Sequence, residues 1–260
     1  MTKRRALGQH FLRDHAIARA IVDLVAPTAQ DLVVEIGPGD GALTGLLAGR
    51  SARVIALEID RALGAALRAR LPAVEVLDAD ARSWDYAALA APAGGRVLIL
   101  GNLPYSVGKP ILTALIAARA AIDEMALMLQ REVAERIAAA PGSRVYGSLS
   151  VLTQLYCDVR LTLRVPPGAF RPPPKVESAV IRLDVLPAPR VPLADPGRFE
   201  SVVRAAFAQR RKMLANALAA GLGLPLDVVR RAAAAAGVDP TRRAETLSLS
   251  DFAALATRLP

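Results

Sequence analysis

Across the first two-thirds of the chain, short runs of Val, Ile and Leu alternate with longer stretches whose apolar residues recur at helical spacing. The runs predict strands at Leu32–Ile36, Arg53–Ile59, Val74–Leu77, Arg96–Leu100, Met125–Leu129, Val159–Val165 and Ala179–Val185. The first four are apolar along most of their length, as strands covered on both sheet faces should be. Between strands, Ala42–Ala48, Arg61–Arg70 and Pro110–Ala121 read as helices. Strand–helix alternation implies right-handed crossovers and a parallel, doubly wound sheet, so the fold class is α/β and Rossmann-like. The last two strands are joined by PPGAFRPPPK with no helix between them, which predicts an antiparallel edge pair.

Four prolines in Leu186–Pro196 then break the pattern. Beyond them the spacing is purely helical: Phe199–Gln209, Arg211–Ala220, Leu226–Ala236 and Ser250–Leu259, with Gly237 as a helix stop and Ser250 as an N-cap. The chain is therefore expected to hold a catalytic α/β domain over 1–187, with an N-terminal arm over 1–19, and a small all-helical domain over 188–260.

Composition permits this architecture, since 53% of the 260 residues are hydrophobic and 22% charged. Cys157 is the only cysteine, so no internal disulfide is possible and a reducing compartment is allowed. No stretch approaches the roughly 20 apolar residues of a membrane span, and MTKRRALGQHFL lacks the apolar core of a signal peptide. A cytoplasmic protein with no membrane partner, and a monomer, is expected. The net charge of +9 is unevenly placed. Residues 1–19 carry five Lys/Arg against one Asp, and residues 190–243 carry ten against four Asp/Glu, leaving −1 for everything else. Such confinement suggests a polyanion footprint, with RNA-phosphate contacts expected from Arg210, Arg211 and Lys212 and from Lys3, Arg4 and Arg5. Arginine enrichment of an alanine-rich composition is the plainer explanation of the same charge.

Four strand ends carry candidate chemistry. Val33–Gly41 (VVEIGPGDG) runs from a strand into a glycine turn, where Gly37 and its neighbours let backbone approach a ligand. About 20 residues on, Glu58 ends the second strand, where a carboxylate can accept both hydroxyl protons of an adenosine ribose. Asp80 follows the third strand and could receive adenine amino hydrogens. This much also fits a nicotinamide dehydrogenase. Glu35, two residues before Gly37, and the close-spaced Gly41 favour a methyl donor instead. The fourth strand ends in Asn102-Leu103-Pro104-Tyr105. Adenine's exocyclic amine is a poor nucleophile because its lone pair is delocalised into the ring. The Asn102 side-chain oxygen and a neighbouring backbone carbonyl, exposed where Pro104 bends the chain, can accept its hydrogens and align its lone pair with a sulfonium methyl. Tyr105 offers a face on which a flipped base stacks. Asn102 cannot act as a base, so positioning and polarisation carry the chemistry.

GQHFL at 8–12, VEIGPGDGALT at 34–44, GNLPYSVGKPIL at 101–112, MLQREVAERI at 128–137, YGSLSV at 146–151, FRPPPKVESAV at 170–180 and FAQRRKMLANAL at 207–218 resemble the KsgA/RsmA family of bacterial 16S ribosomal RNA adenine N6,N6-dimethyltransferases. The resemblance spans essentially the whole chain. It implies that His10, Leu12, Gly37, Glu58, Asp80 and Asn102 contact S-adenosyl-L-methionine as methyl donor. It implies further that Asn102, Leu103, Pro104 and Tyr105 frame the target amine while Phe170 closes the other face of the flipped base. The implied substrate is a pair of adjacent adenosines in a hairpin loop near the 3′ end of 16S rRNA, within the assembling 30S subunit. A 23S rRNA adenine methylase of the erythromycin-resistance type and an rRNA-binding assembly factor are the alternatives. Two departures stand out: His10 replaces a common asparagine, and Ser106–Lys109 differs from the usual run. No Cys/His cluster accompanies His10 and His15, so no metal is expected.

Overall fold

The computed structural model describes residues 10–105 and 107–260, and these fall into two compact units. The first comprises the described residues up to Ala134 together with Asp158–Val185; the second comprises Glu135–Cys157 and Leu186–Pro260. The division is not the linear one expected at 187/188, because the segment 135–157 groups with the C-terminal helices.

In chain order the elements begin with β1 (Phe11–Leu12), α1 (His15–Val25), β2 (Leu32–Ile36), α2 (Thr44–Leu47), β3 (Arg53–Glu58), α3 (Arg61–Arg70) and β4 (Glu75–Asp78). They continue with β5 (Val97–Asn102), α4 (Gly108–Ala117), β6 (Glu124–Gln130), α5 (Arg131–Ile137), α6 (Ser148–Gln154), β7 (Cys157–Val165), β8 (Phe170–Arg171) and β9 (Ser178–Val185). The last four helices are α7 (Pro196–Ala208), α8 (Leu214–Leu222), α9 (Leu226–Ala235) and α10 (Leu249–Arg258).

Seven strands form one sheet in the order β4-β3-β2-β5-β6-β9-β7. The β2–β3, β2–β5, β3–β4 and β5–β6 pairs are parallel, and β6–β9 is antiparallel. All five residues of β2 are buried, as a central strand requires, and each fully buried Val, Leu or Ile stabilises by about 1.5–3 kcal/mol. The sheet is covered by helices whose apolar faces follow helical spacing. In α1, Ala18, Ile21, Val22 and Val25 are buried at intervals of three and four, and Asp14 caps the helix by accepting from the Ala16 and Ile17 N–H groups.

The expected edge pair is present: β9 and β7 are neighbours at one end of the sheet, with β9 against β6 and β7 outermost. β9 can sit inside because Ser178–Ile181 and Leu183 are buried, whereas β7 is exposed at Arg160 and Leu161. A two-stranded sheet, β1 with β8, was not expected; Leu12 pairs with Phe170 and Phe11 with Arg171.

The second unit packs its helices around Tyr146, Phe199, Leu218 and Phe252. Two expectations change here. Ser248, not Ser250, caps α10, in a reciprocal box with Asp251. Arg211–Met213 are not helical: α8 starts at Leu214, whose N–H is taken by the Arg242 carbonyl at 2.7 Å. The basic run is therefore a turn between helices rather than a helix face.

Candidate active site at the strand ends

Strand order reverses between β2 and β5, and the carboxyl ends of β2, β3, β4 and β5 open there into one pocket. Its lining includes His10, Leu12, Gly37, Glu58, Asp80, Asn102, Leu103, Pro104 and Tyr105, along with Glu35. Residues separated by almost a hundred positions in sequence thus meet at one crevice.

The glycine turn is shaped for close approach. Gly37, Gly39 and Gly41 all have positive φ, at 67°, 56° and 78°. A Cβ at Gly39 would also lie 3.0 Å from the Phe11 ring, so a side chain there is excluded twice. The Gly39 N–H donates to Glu58 Oε2 at 3.0 Å, and the Asp60 N–H donates to Oε1 at 2.9 Å. Asp60 is itself the N-cap of α3, accepting from Ala62 and Leu63. One short segment therefore caps a helix and fixes the carboxylate that faces the pocket. Glu58 is 3% exposed, and burial raises its pKa.

Glu35 is more deeply placed, at 2% exposure. Burial pushes its carboxyl up to about 7, with the charges of Glu58 and Asp40 pushing the same way. Its Oε2 is buried with no hydrogen-bond partner among the described residues, while the Thr44 side chain acts against the upward shift. Asp80 differs again. Arg82, two residues on, grips it through its backbone N–H at 2.9 Å and through Nε and Nη2 at 3.0 and 2.5 Å, and this bonding lowers the carboxyl pKa. Arg82 also lines the pocket.

At the other end, the Asn102 amide nitrogen Nδ2 donates to the His10 carbonyl at 3.0 Å. A carbonyl can only accept, so this bond fixes which way the amide points and leaves Oδ1 as the free acceptor. The Leu103 N–H donates to Met128 O, and Leu103 is fully buried. The Pro104 carbonyl already accepts from the Val107 and Gly108 N–H groups at the start of α4. Tyr105 shares a 2.7 Å hydrogen bond with Ser178 Oγ, and its ring lies 5.8 Å from the His10 imidazole, tilted by 31°. His10 Nδ1 bonds the Pro172 carbonyl at 2.8 Å, so that nitrogen carries the proton.

Phe170 stands apart from this assembly. It is 4% exposed, pairs with Leu12 and packs in the core of the first unit, and it does not line the pocket. Facing a flipped base would require the ring to leave that core. Among the basic residues, Arg211 and Lys212 are exposed, whereas Arg210 is tied to Glu245 at 3.1 Å and to the Arg144 carbonyl at 2.8 Å. Lys3, Arg4 and Arg5 lie outside the described residues. Among the described residues, no group of three or more His, Cys, Asp or Glu is placed to hold a metal ion, and no helix is long and apolar enough to cross a membrane. Sequence reasoning missed Arg82, whose partner Asp80 lies two residues away in LDADAR, and Ser178, whose partner Tyr105 only the fold supplies.

A mostly parallel sheet with a glycine turn after its first parallel strand and acidic residues at the next strand ends is the architecture of the Rossmann-like methyltransferases. The model of the ribosomal RNA adenine dimethylase family matches residues 1–259, and the chain belongs to that family. It is 45% identical over 257 residues to the ribosomal RNA small subunit methyltransferase A of Geobacter metallireducens, covering 97% of this chain and 94% of the relative. Among solved structures, a dimethyladenosine transferase from Plasmodium falciparum shares the fold at TM-score 0.78 and 24% identity, over 95% of this chain and 96% of that one. The 23S rRNA methyltransferase ErmE follows at TM-score 0.72 and 27% identity, over 96% and 99%. Family membership removes the dehydrogenase reading of the glycine turn. The protein is an rRNA adenine dimethyltransferase.

Proposed function

We propose that the chain transfers methyl groups from S-adenosyl-L-methionine to N6 of two adjacent adenosines in a hairpin loop near the 3′ end of 16S rRNA, acting on the assembling 30S subunit in the cytoplasm. Small-subunit specificity is favoured over the 23S alternative by the 45% identity to a relative named for the small subunit, against 27% to ErmE.

The residues present fit the donor. A Cβ at Gly37, which lines the pocket, would meet only the Asn102 carbonyl at 3.7 Å, so the glycine turn is open to a ligand there, and Glu58 offers a buried carboxylate for the ribose hydroxyls. Glu35 keeps a buried, unpaired oxygen suited to a cation. When bound, the sulfonium supplies an electrophilic methyl and leaves as a neutral thioether. Asp80 receives the donor's adenine amine once Arg82 yields part of its grip.

The observation that carries the reading is the Asn102–His10 bond. It holds Nδ2 away and presents Oδ1 as an acceptor for one N6 hydrogen of the target base. With the Pro104 carbonyl already occupied, the carbonyl of Leu103 is the neighbouring acceptor for the second. Two acceptors pull the amine toward tetrahedral geometry and direct its lone pair at the methyl, while Tyr105 stacks on the base. Arg211 and Lys212 serve the rRNA backbone. Labelled donor incubated with unmethylated 30S, unmethylated 50S and naked rRNA, followed by mapping, tests the proposal. Label on paired adenosines of 30S rRNA supports it; label confined to 50S or 23S rRNA contradicts it.

A further inference from the structure

We propose that Ser178 is a positioning residue of the methyl-transfer site, its hydroxyl holding the Tyr105 ring at the angle on which the target base stacks. The inference rests on the reading that Asn102–Tyr105 frames the target amine.

Ser178 is the first residue of β9 and pairs with Gln130 at the end of β6, so its backbone is fixed by an antiparallel ladder. Its side chain is fully buried, and its hydroxyl lies 2.7 Å from the Tyr105 hydroxyl. A buried serine hydroxyl without a partner is unfavourable, so a serine here makes physical sense chiefly through that bond. Tyr105 is thereby held at two ends. Its backbone is fixed where the chain turns into α4, with Val107 and Gly108 both bonded to Pro104 O. Its far end is fixed by Ser178, 73 residues away in sequence. The His10 imidazole against the ring gives a third contact, and His10 is itself anchored to Pro172. A ring held at both ends cannot swing about its Cα–Cβ bond. That matters because productive transfer needs the base plane held within about 10–20° of the reactive orientation. Ser178 does not line the pocket. Its effect passes through Tyr105 alone, so it should appear in the rate of transfer and not in the binding of either substrate.

The test is a double-mutant cycle on single-turnover methylation of unmethylated 30S at saturating donor, using Ser178→Ala, Tyr105→Phe and the double variant. Each single variant removes the same hydrogen bond and keeps the aromatic ring. The expected loss in rate is roughly five- to tenfold for each, and the double variant should be no slower than either single one. Donor and 30S dissociation constants should stay within about twofold, which also establishes that the variants are folded. A wild-type rate for Ser178→Ala, or defects that multiply in the double variant, would overturn the proposal. So would an equal loss of substrate binding, because that marks a general packing role. Failure of the wild-type protein to methylate 30S adenosines would instead sink the functional reading itself, so the two failures are distinguishable.

Discussion

The two ends of the pocket are built by different means. At the end proposed to hold the methyl donor, Glu58 is fixed by N–H groups of Gly39 and Asp60, and Asp80 by Arg82, all within about twenty residues of the carboxylate concerned. At the end proposed to hold the target base, Asn102 is fixed by His10, His10 by Pro172 and Tyr105 by Ser178, across 92, 162 and 73 residues. The donor end is a set of local strand–turn–helix devices that a two-layer fold supplies wherever a parallel strand ends. The base end exists only once the N-terminal segment, β5 and β8–β9 have come together. Recognition of a common donor can therefore be local, whereas control of the reacting amine depends on the whole of the first unit.

The sharpest break between the ends is Asn102→Ala. It should lower single-turnover rate by about 10²–10³-fold while changing 30S affinity little, because its hydrogen bond strengthens as the amine rehybridises. Rate measurement alongside filter binding separates the two, and equal losses would make Asn102 a binding or structural residue.

Glu35 links the donor end to stability. Its folded pKa of about 7 lies above the ordinary 4.5, so the folded protein holds a proton there that the unfolded chain releases. The stability contributed is complete below about pH 4.5 and is lost as pH rises through 7, a difference of about 3 kcal/mol. Glu35→Gln should therefore melt higher than wild type at pH 8, with the gap closing by pH 5. The same substitution should weaken binding of the cationic donor, and wild-type donor affinity should tighten as pH rises through 7. Melting curves and calorimetry at both pH values check this; an unchanged gap between pH 5 and 8 would mean that Glu35 is not the titrating group.

Glu58→Ala should weaken donor binding by about 2–3 kcal/mol, since the proposed two-oxygen contact to the ribose would be lost. Calorimetry with S-adenosylmethionine reads it, and unchanged affinity would remove Glu58 from the site. The smallest effect lies in the second unit. Neutralising Arg211 and Lys212 should leave donor affinity intact and flatten the salt dependence of 30S binding by roughly 0.7–0.9 log units per log unit of salt for each lost phosphate contact. Arg210→Ala should instead lower thermal stability, because Arg210 holds Glu245 and the Arg144 carbonyl. An unchanged salt slope for the Arg211/Lys212 variant would leave them as solvated turn residues.

The same contrast decides what the sequence made legible. Leu32–Ile36 and Arg61–Arg70 were readable to the residue because apolar runs and capping signals are local. That Gly37, Glu58 and Asp80 line one pocket was readable for the same reason, since glycine and acid at strand ends stand out within a few positions. Ser178 reads only as the start of a strand until β9 is inserted beside β6. Phe170 was expected over the base from its motif, yet pairing with Leu12 draws it into the core. A helix was expected to start at Arg211, but nothing apolar recurs before Leu214 to bury, and the Arg242 carbonyl takes the Leu214 N–H where the helix starts.

The most direct test of this division is the single-turnover rate on 30S for Glu58→Ala and Asn102→Ala as donor concentration is raised to saturation. Glu58→Ala should return to near the wild-type rate, since only binding was lost, and Asn102→Ala should plateau about 10²–10³-fold lower. A Glu58→Ala rate that stays low at saturation, or an Asn102→Ala rate that recovers, would contradict it.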